Sequence, residues 1–142
     1  VGERVVIIGG GLAGCESAME LCREGRKVTV LEAAKGFARD AHRMASLGLL
    51  EESKRHPNLK AVDQCRVTEI TPEGVVATNR DGNSVLYPAD TVAYAVGMRA
   101  RTQLSLQLSN AAPYVAWAGD CVKPRRTMEA IREGYFAAMN IR

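Results

Sequence analysis

The sequence predicts an α/β chain in three layers around a central parallel sheet, with an antiparallel three-strand meander set into it. Three observations predict this. Short β-branched apolar runs alternate with stretches of helical periodicity, the pattern of buried parallel strands joined by helices. Two of those runs, at 4–8 and 27–31, flank one helical stretch within the roughly 30 residues of a strand–helix–strand unit. Three alternating strands crowd between Arg66 and Tyr87, separated by turns too tight for anything but antiparallel hairpins.

Taken in order, Arg4 to Ile8 (RVVII) is a buried parallel strand by composition. Gly9 to Gly14 punctuates it. Leu12 to Glu24 then carries apolar residues at helical spacing and stops at Gly25, placed as a glycine that follows a helix end. Lys27 to Leu31 (KVTVL) is the second strand. Asp40 to about Arg55 is helical, with Met44, Leu47 and Leu50 on one side and Asp40 as its expected cap. Pro57-Asn58 ends it, and Leu59 to Val62 is a short strand. The meander strands are read at 66–70, 74–79 and 84–87, with turns at Pro72-Glu73-Gly74 and Arg80-Asp81-Gly82-Asn83. Thr91 to Tyr94 returns to the buried sheet. A short helix near Gln103 to Leu108, a last strand at Val115 to Ala118 and a final helix from about Arg126 to Asn140 complete the chain. Met128, Ile131, Tyr135 and Ala138 are expected on that helix's inner face.

The 142 residues, 46% hydrophobic and 25% charged, fit one globular domain that can bury a real core. A net charge of +3 with scattered basic residues gives no footprint for nucleic acid, and no run approaches the length of a membrane span. Cys15, Cys22, Cys65 and Cys121 form no C-x-x-C pair, which argues against a zinc knuckle or a thioredoxin-type redox pair. Buried reduced thiols are expected at Cys15 and Cys22, and a cytoplasmic location follows from reduced thiols and the lack of a signal peptide. The first strand begins almost at once and the last helix runs to Arg142, so the chain reads as a piece of a longer protein.

The chemistry-bearing motif is Gly9-Gly10-Gly11-Leu12-Ala13-Gly14, a G-x-G-x-x-G that directly follows a strand and opens a helix. Gly9 lets the chain turn sharply, Gly11 leaves room for a diphosphate against the backbone, and Gly14 lets helix and strand approach. The unpaired amides of the first helical turn, at Leu12, Ala13 and Gly14, and the positive end of the helix dipole favour that anion. Glu32 ends the second strand 18 residues past Gly14, near the roughly 20 of the dinucleotide fingerprint. Its carboxylate can accept the adenosine ribose hydroxyls and repel a 2′-phosphate, which favours NAD(H) over NADP(H). Lys35 and Arg39 are nearby cations that could reach such a phosphate. His42 and His56 belong to a polar helix and are not expected to act in catalysis.

With these residues in place, the Rossmann-like text VVIIGGGLAGCESA, with Glu16 two residues past Gly14, resembles the inserted NAD domain of flavoproteins that carry two dinucleotide-binding domains. The meander from Arg66 to Tyr87 is similar to the excursion such domains make. DTVAYAVGM (90–98) resembles their second glycine segment, which implies Gly97 near the cofactor. AGDCVKPRRTMEAIREGYFAAMNI (118–141) resembles their C-terminal flavin motif, which implies that Asp120 hydrogen-bonds the ribityl or phosphate region of FAD. The GDCVKPR segment points to the NADH:flavin oxidoreductases related to old yellow enzyme, the group of 2-enoate reductase, 2,4-dienoyl-CoA reductase and trimethylamine dehydrogenase. That resemblance implies a parent with an FMN barrel, an iron–sulfur cluster and a separate FAD unit, none of which is present in these 142 residues.

The resulting expectation is an NAD(H)-binding part over residues 1–118 and a flavin-motif segment over 119–142. NADH would deliver hydride to FAD in the parent, and no side chain here would act as a catalytic acid or base. Two alternatives stand beside it. The glycine site could hold FAD, whose ribose Glu32 suits equally well. The chain could also be a nicotinamide-binding regulatory module without turnover, although such a module has no need of Gly119-Asp120 ahead of a helix.

Overall fold

The computed structural model describes residues 1–141. In chain order its elements are β1 (Arg4–Ile8), α1 (Leu12–Arg23), β2 (Lys27–Leu31), α2 (Arg43–Ser53), β3 (Leu59–Val62), β4 (Arg66–Thr71), β5 (Gly74–Thr78), β6 (Ser84–Pro88), β7 (Thr91–Tyr94), α3 (Thr102–Gln107), a 3-10 turn at Gly119–Cys121, and α4 (Thr127–Met139). Two compact units divide the chain, Val1–Gly97 and Met98–Arg142. This break in compactness falls ahead of the motif boundary at 118/119, which separates expected roles rather than packed bodies.

The first unit is an α/β, Rossmann-like domain. Its four-stranded parallel sheet runs β3-β2-β1-β7, with Val5 opposite Val28 on one side and Thr91 on the other. The order places β1 centrally, so both its faces must be covered. Alternation along the strand does this. Val5 and Ile7 pack with Val28, Val30 and the α1 residues Ala18 and Cys22. Val6, facing the other way, packs with Leu31, Cys65, Val75 and Tyr87. The second face is therefore covered by the antiparallel sheet β4-β5-β6, where a doubly wound fold would place helices. Each buried Val, Leu or Ile contributes roughly 1.5–3 kcal/mol. The meander strands each run within a residue or so of their expected spans, and a register shift between Val67 and Glu69 twists β4 against β5.

Burial pushes the Cys15 and Cys22 thiols above their ordinary pKa, the environment of inert structural cysteines. Tyr87, desolvated by burial and beside the Cys65 thiol, is pushed up to about 12.

Two expectations about where elements begin or form fail. The second helix starts at Arg43 rather than Asp40, and it is His42 whose Nδ1 accepts from the Met44 amide, at 3.4 Å; Asp40 is used elsewhere. Residues 115–118 form no strand, because an extended segment becomes one only beside a ladder partner and, among the described residues, none pairs with it.

In the second unit the α4 face predicted to be inward is exposed: Met128 at 68%, Ile131 at 67% and Tyr135 at 61%. The half-buried residues are instead Glu129, Ala130, Glu133 and Ala137. Polar contacts choose that face. The Glu133 carboxylate accepts from the Gly119 amide at 2.8 Å and pairs with Arg125, and Tyr114 Oη donates to the Ala137 carbonyl at 3.1 Å. Among the described residues no helix is long and apolar enough to cross a membrane.

Candidate functional site

The glycines of the turn between β1 and α1 are there for geometric reasons. Gly9 adopts φ +106°, donates its amide to the Leu31 carbonyl at 2.8 Å, and lies so close to the end of β7 that a Cβ would stand 2.4 Å from the Ala95 carbonyl oxygen. A Cβ on Gly14 would stand 2.0 Å from the Gly9 carbonyl oxygen. These two positions let strand, turn and helix touch. Gly11 differs: its backbone is ordinary, at φ −68° and ψ −178°, and its Cβ would meet only the Asp40 carboxylate, at 3.3 and 3.4 Å from the two oxygens. The bare position at Gly11 therefore keeps space open and relieves no backbone strain.

The first intrahelical bond of α1 runs from the Cys15 amide to the Gly11 carbonyl, at 3.0 Å. The three amides before it, at Leu12, Ala13 and Gly14, have no intrahelical acceptor. No side chain of the cap residue serves them. Leu12 donates to Asp40 Oδ1 at 2.8 Å.

Glu32 leaves the end of β2 and turns toward the same loop. One carboxylate oxygen accepts from the Gly10 amide and the other from the Ala34 amide, both at 2.7 Å. The residue expected to face a ribose thus also braces the glycine turn. Gly10 is a site position that sequence reading passed over as the variable residue of the motif. A Cβ there would collide with the Phe37 ring at 2.5 Å and with Glu32 at 2.9 Å. The only available signal was the unbroken run of three glycines.

After Glu32 the chain doubles back over the turn. Ala38 is buried at φ +49° and its amide donates to the Gly10 carbonyl at 2.7 Å, while Gly36 donates to Asp63 Oδ2 at 2.7 Å. A cleft of about 610 Å³ results, lined by Gly9, Gly11, Glu32, Arg39, Asp40 and Gly97 among others. Gly97, at φ +99° with open space around it, closes one side. Arg39 and Lys35 are both exposed, but of the two it is Arg39 that lines the cleft. Gly9, Gly11, Glu32 and Gly97 are thus brought together, and Leu12, Ala13 and Gly14 begin the helix at its edge.

Asp120 belongs to the second unit. It sits in the 3-10 turn after Gly119, which has φ +74°, and its Oδ1 accepts from the Arg125 amide at 3.4 Å. Cys121 is a free thiol that donates to the Ala118 carbonyl at 3.1 Å. Among the described residues no group of three or more His, Cys, Asp or Glu could hold a metal ion.

The first-unit cleft suits a dinucleotide on its own terms. Its volume lies inside the range of roughly 300–1,000 Å³ typical of ligand sites. A glycine cradle, amides without intrahelical acceptors and a carboxylate at a strand end supply the donors and acceptors that a diphosphate and a ribose need. The cleft lies at the carboxyl ends of parallel strands, where open α/β sheets place ligands.

Comparison with known proteins gives the family. The chain is 32% identical, over 97% of its length, to a metal reductase of Desulforamulus reducens, and 31% identical, over 98%, to an NADH oxidase of Thermoanaerobacter brockii. It spans 25% and 21% of those proteins. Among solved structures, a 2-naphthoyl-CoA reductase bound to 2-naphthoyl-CoA superimposes on all of the chain at a TM-score of 0.92 and 32% identity, with 22% of that larger protein covered. Residues 1–134 match the family described as pyridine nucleotide-disulphide oxidoreductase, and the chain belongs to that family.

Proposed function

We propose that the first-unit cleft binds NAD(H) and that the chain serves as the nicotinamide-binding part of a longer flavin-dependent oxidoreductase. The observation that carries this is the meeting of Gly11, Glu32 and Gly97 around one cleft beside the open first turn of α1. When bound, NADH would supply a hydride to a flavin of the parent protein. The work of this chain is to hold and orient. The amides of Ala13 and Gly14 face the diphosphate, Gly11 keeps its approach clear, and Glu32 receives the ribose hydroxyls and disfavours a 2′-phosphate. On this reading residues 1–118 serve NAD(H), and residues 119–142, through Asp120, complete a flavin site whose remainder lies in a separate FAD unit. An FMN barrel and an iron–sulfur cluster belong to the same proposed parent. No residue here acts as a catalytic acid or base. The relatives' large unmatched portions and the name of the NADH oxidase support this reading.

Isothermal titration tests it. The 142-residue chain should bind NADH more tightly than NADPH. Gly11→Val should lose NADH binding with an unchanged melting temperature, because a side chain then fills the diphosphate's approach. Glu32→Ala should weaken NADH by about tenfold or more and narrow its advantage over NADPH, the expected result of losing hydrogen bonds to charged groups at a binding site. Unaltered affinities in both variants would place the dinucleotide elsewhere. The chain should also purify colourless; a flavin spectrum would move the assignment of the glycine cleft to FAD.

A further inference from the structure

We infer that Asp40 is a built-in competitor for the dinucleotide: its carboxylate occupies the anion position at the start of α1 and must swing away before a diphosphate can bind. This rests on the nucleotide reading of the cleft and adds a control on it.

The contact is specific. Asp40 Oδ1 takes the Leu12 amide at 2.8 Å, the first of the amides that the helix itself leaves unpaired. The same carboxylate stands over Gly11, where both of its oxygens would touch an added Cβ. It thus fills the gap that the bare glycine leaves. A diphosphate entering that gap would seek the same amide and the same positive helix end. Two anions cannot share it, because their repulsion at a few ångströms adds to the competition for one donor.

The loop that carries Asp40 is held in place to make this contact. The Phe37 ring lies against Gly10, the Ala38 amide is tied to the Gly10 carbonyl, and Ala38 adopts a left-handed conformation that alanine rarely takes. These features aim the next two residues, Arg39 and Asp40, into the cleft. Asp40 itself is exposed, so its side chain can rotate out while the anchored Phe37 and Ala38 stay put. The apparent affinity for a diphosphate ligand then equals the intrinsic affinity reduced by the fraction of molecules in which Asp40 has left. No ligand without phosphates pays this reduction.

ADP-ribose and adenosine separate the effects, since only the first carries the diphosphate. Asp40→Asn removes the charge with little change of shape, and Asp40→Ala removes both charge and cap. Both variants of the full chain should bind ADP-ribose about five- to tenfold more tightly than the parent sequence, with adenosine affinity unchanged. The Leu12 amide should exchange with solvent faster in Asp40→Ala and regain protection when ADP-ribose is added, a readout independent of any turnover. Equal or weaker ADP-ribose binding in both variants overturns the inference while leaving the nucleotide site intact. An equal gain for adenosine overturns it too, because the effect would then not be directed at phosphate. Failure of all three proteins to bind ADP-ribose removes the nucleotide reading itself, and the inference with it.

Discussion

The two units of this chain have similar apolar composition but opposite fates for it. Every fully buried hydrophobic side chain among the described residues lies at or before Ala89, inside Val1–Gly97. Beyond Met98, the residues with helical apolar spacing, Met128, Ile131 and Tyr135 among them, face solvent. The difference teaches what an amphipathic pattern specifies. Spacing of apolar residues selects a local conformation, but a core forms only where a second element offers a matching face. In the first unit the parallel sheet offers two such faces. In the second, the face of α4 that is used is the one bearing Glu133, which can satisfy the Gly119 amide and Arg125 together.

Substitutions can break or sharpen this contrast. The largest effect is expected at Gly14, where any side chain meets the Gly9 backbone at 2.0 Å: Gly14→Val should destabilise the first unit by more than about 3 kcal/mol, read as loss of cooperative unfolding by circular dichroism. Ile7, at 1% exposure, should lose about 2–5 kcal/mol on truncation to alanine, in chemical denaturation. Next in size comes Asp90. Hydrogen bonds from the Arg4 side chain and backbone hold its carboxyl at about 2, below the ordinary 3.8. A lowered folded-state pKa gives stability that is present above the ordinary value and is lost as pH falls from about 4 toward 2. Asp90→Asn should flatten the acid limb of the stability curve over that window, and an unchanged limb would show that the pair adds nothing. The smallest effect is expected at Ile131, at 67% exposure: its alanine variant should stay within about 0.5 kcal/mol of the parent chain. A loss comparable to that of Ile7→Ala would erase the distinction between the units.

The same contrast explains how far the sequence could be read. The bounds of β1 and β2 follow directly from their β-branched runs, because buried parallel strands have compositions that few other elements share, whereas β3 and β7 lie at the sheet's edges and bury no residue. The glycine fingerprint marks Gly9 and Gly14 for a related reason, since their close backbone contacts leave no room for a side chain. Asp40 serves α1 and not α2. Its spacing suits a cap on α2, but the loop from Ala33 folds back and gives its carboxylate to α1, a tertiary choice invisible to local spacing. Gly10 and Ala38 escaped notice because their importance lies in what they touch across the turn. The absent strand at 115–118 and the exposed α4 face share one cause: each needed a partner surface that periodicity does not encode.

The placement of β7 beside β1 has a consequence for how the glycine turn comes into being. Arg4 and Asp90, which tie the two strands together at their starts, are 86 residues apart, and the meander is made between them. On a ribosome adding about 5–20 residues per second, the wall that Ala95 gives to Gly9 arrives roughly 4 to 17 seconds after the turn itself. Until then the nascent turn lacks one side, and closing so long a loop is the slow kind of contact formation. A stalled nascent chain ending before Thr91 should be cut by protease near Gly9, whereas one that has exposed β7 should resist.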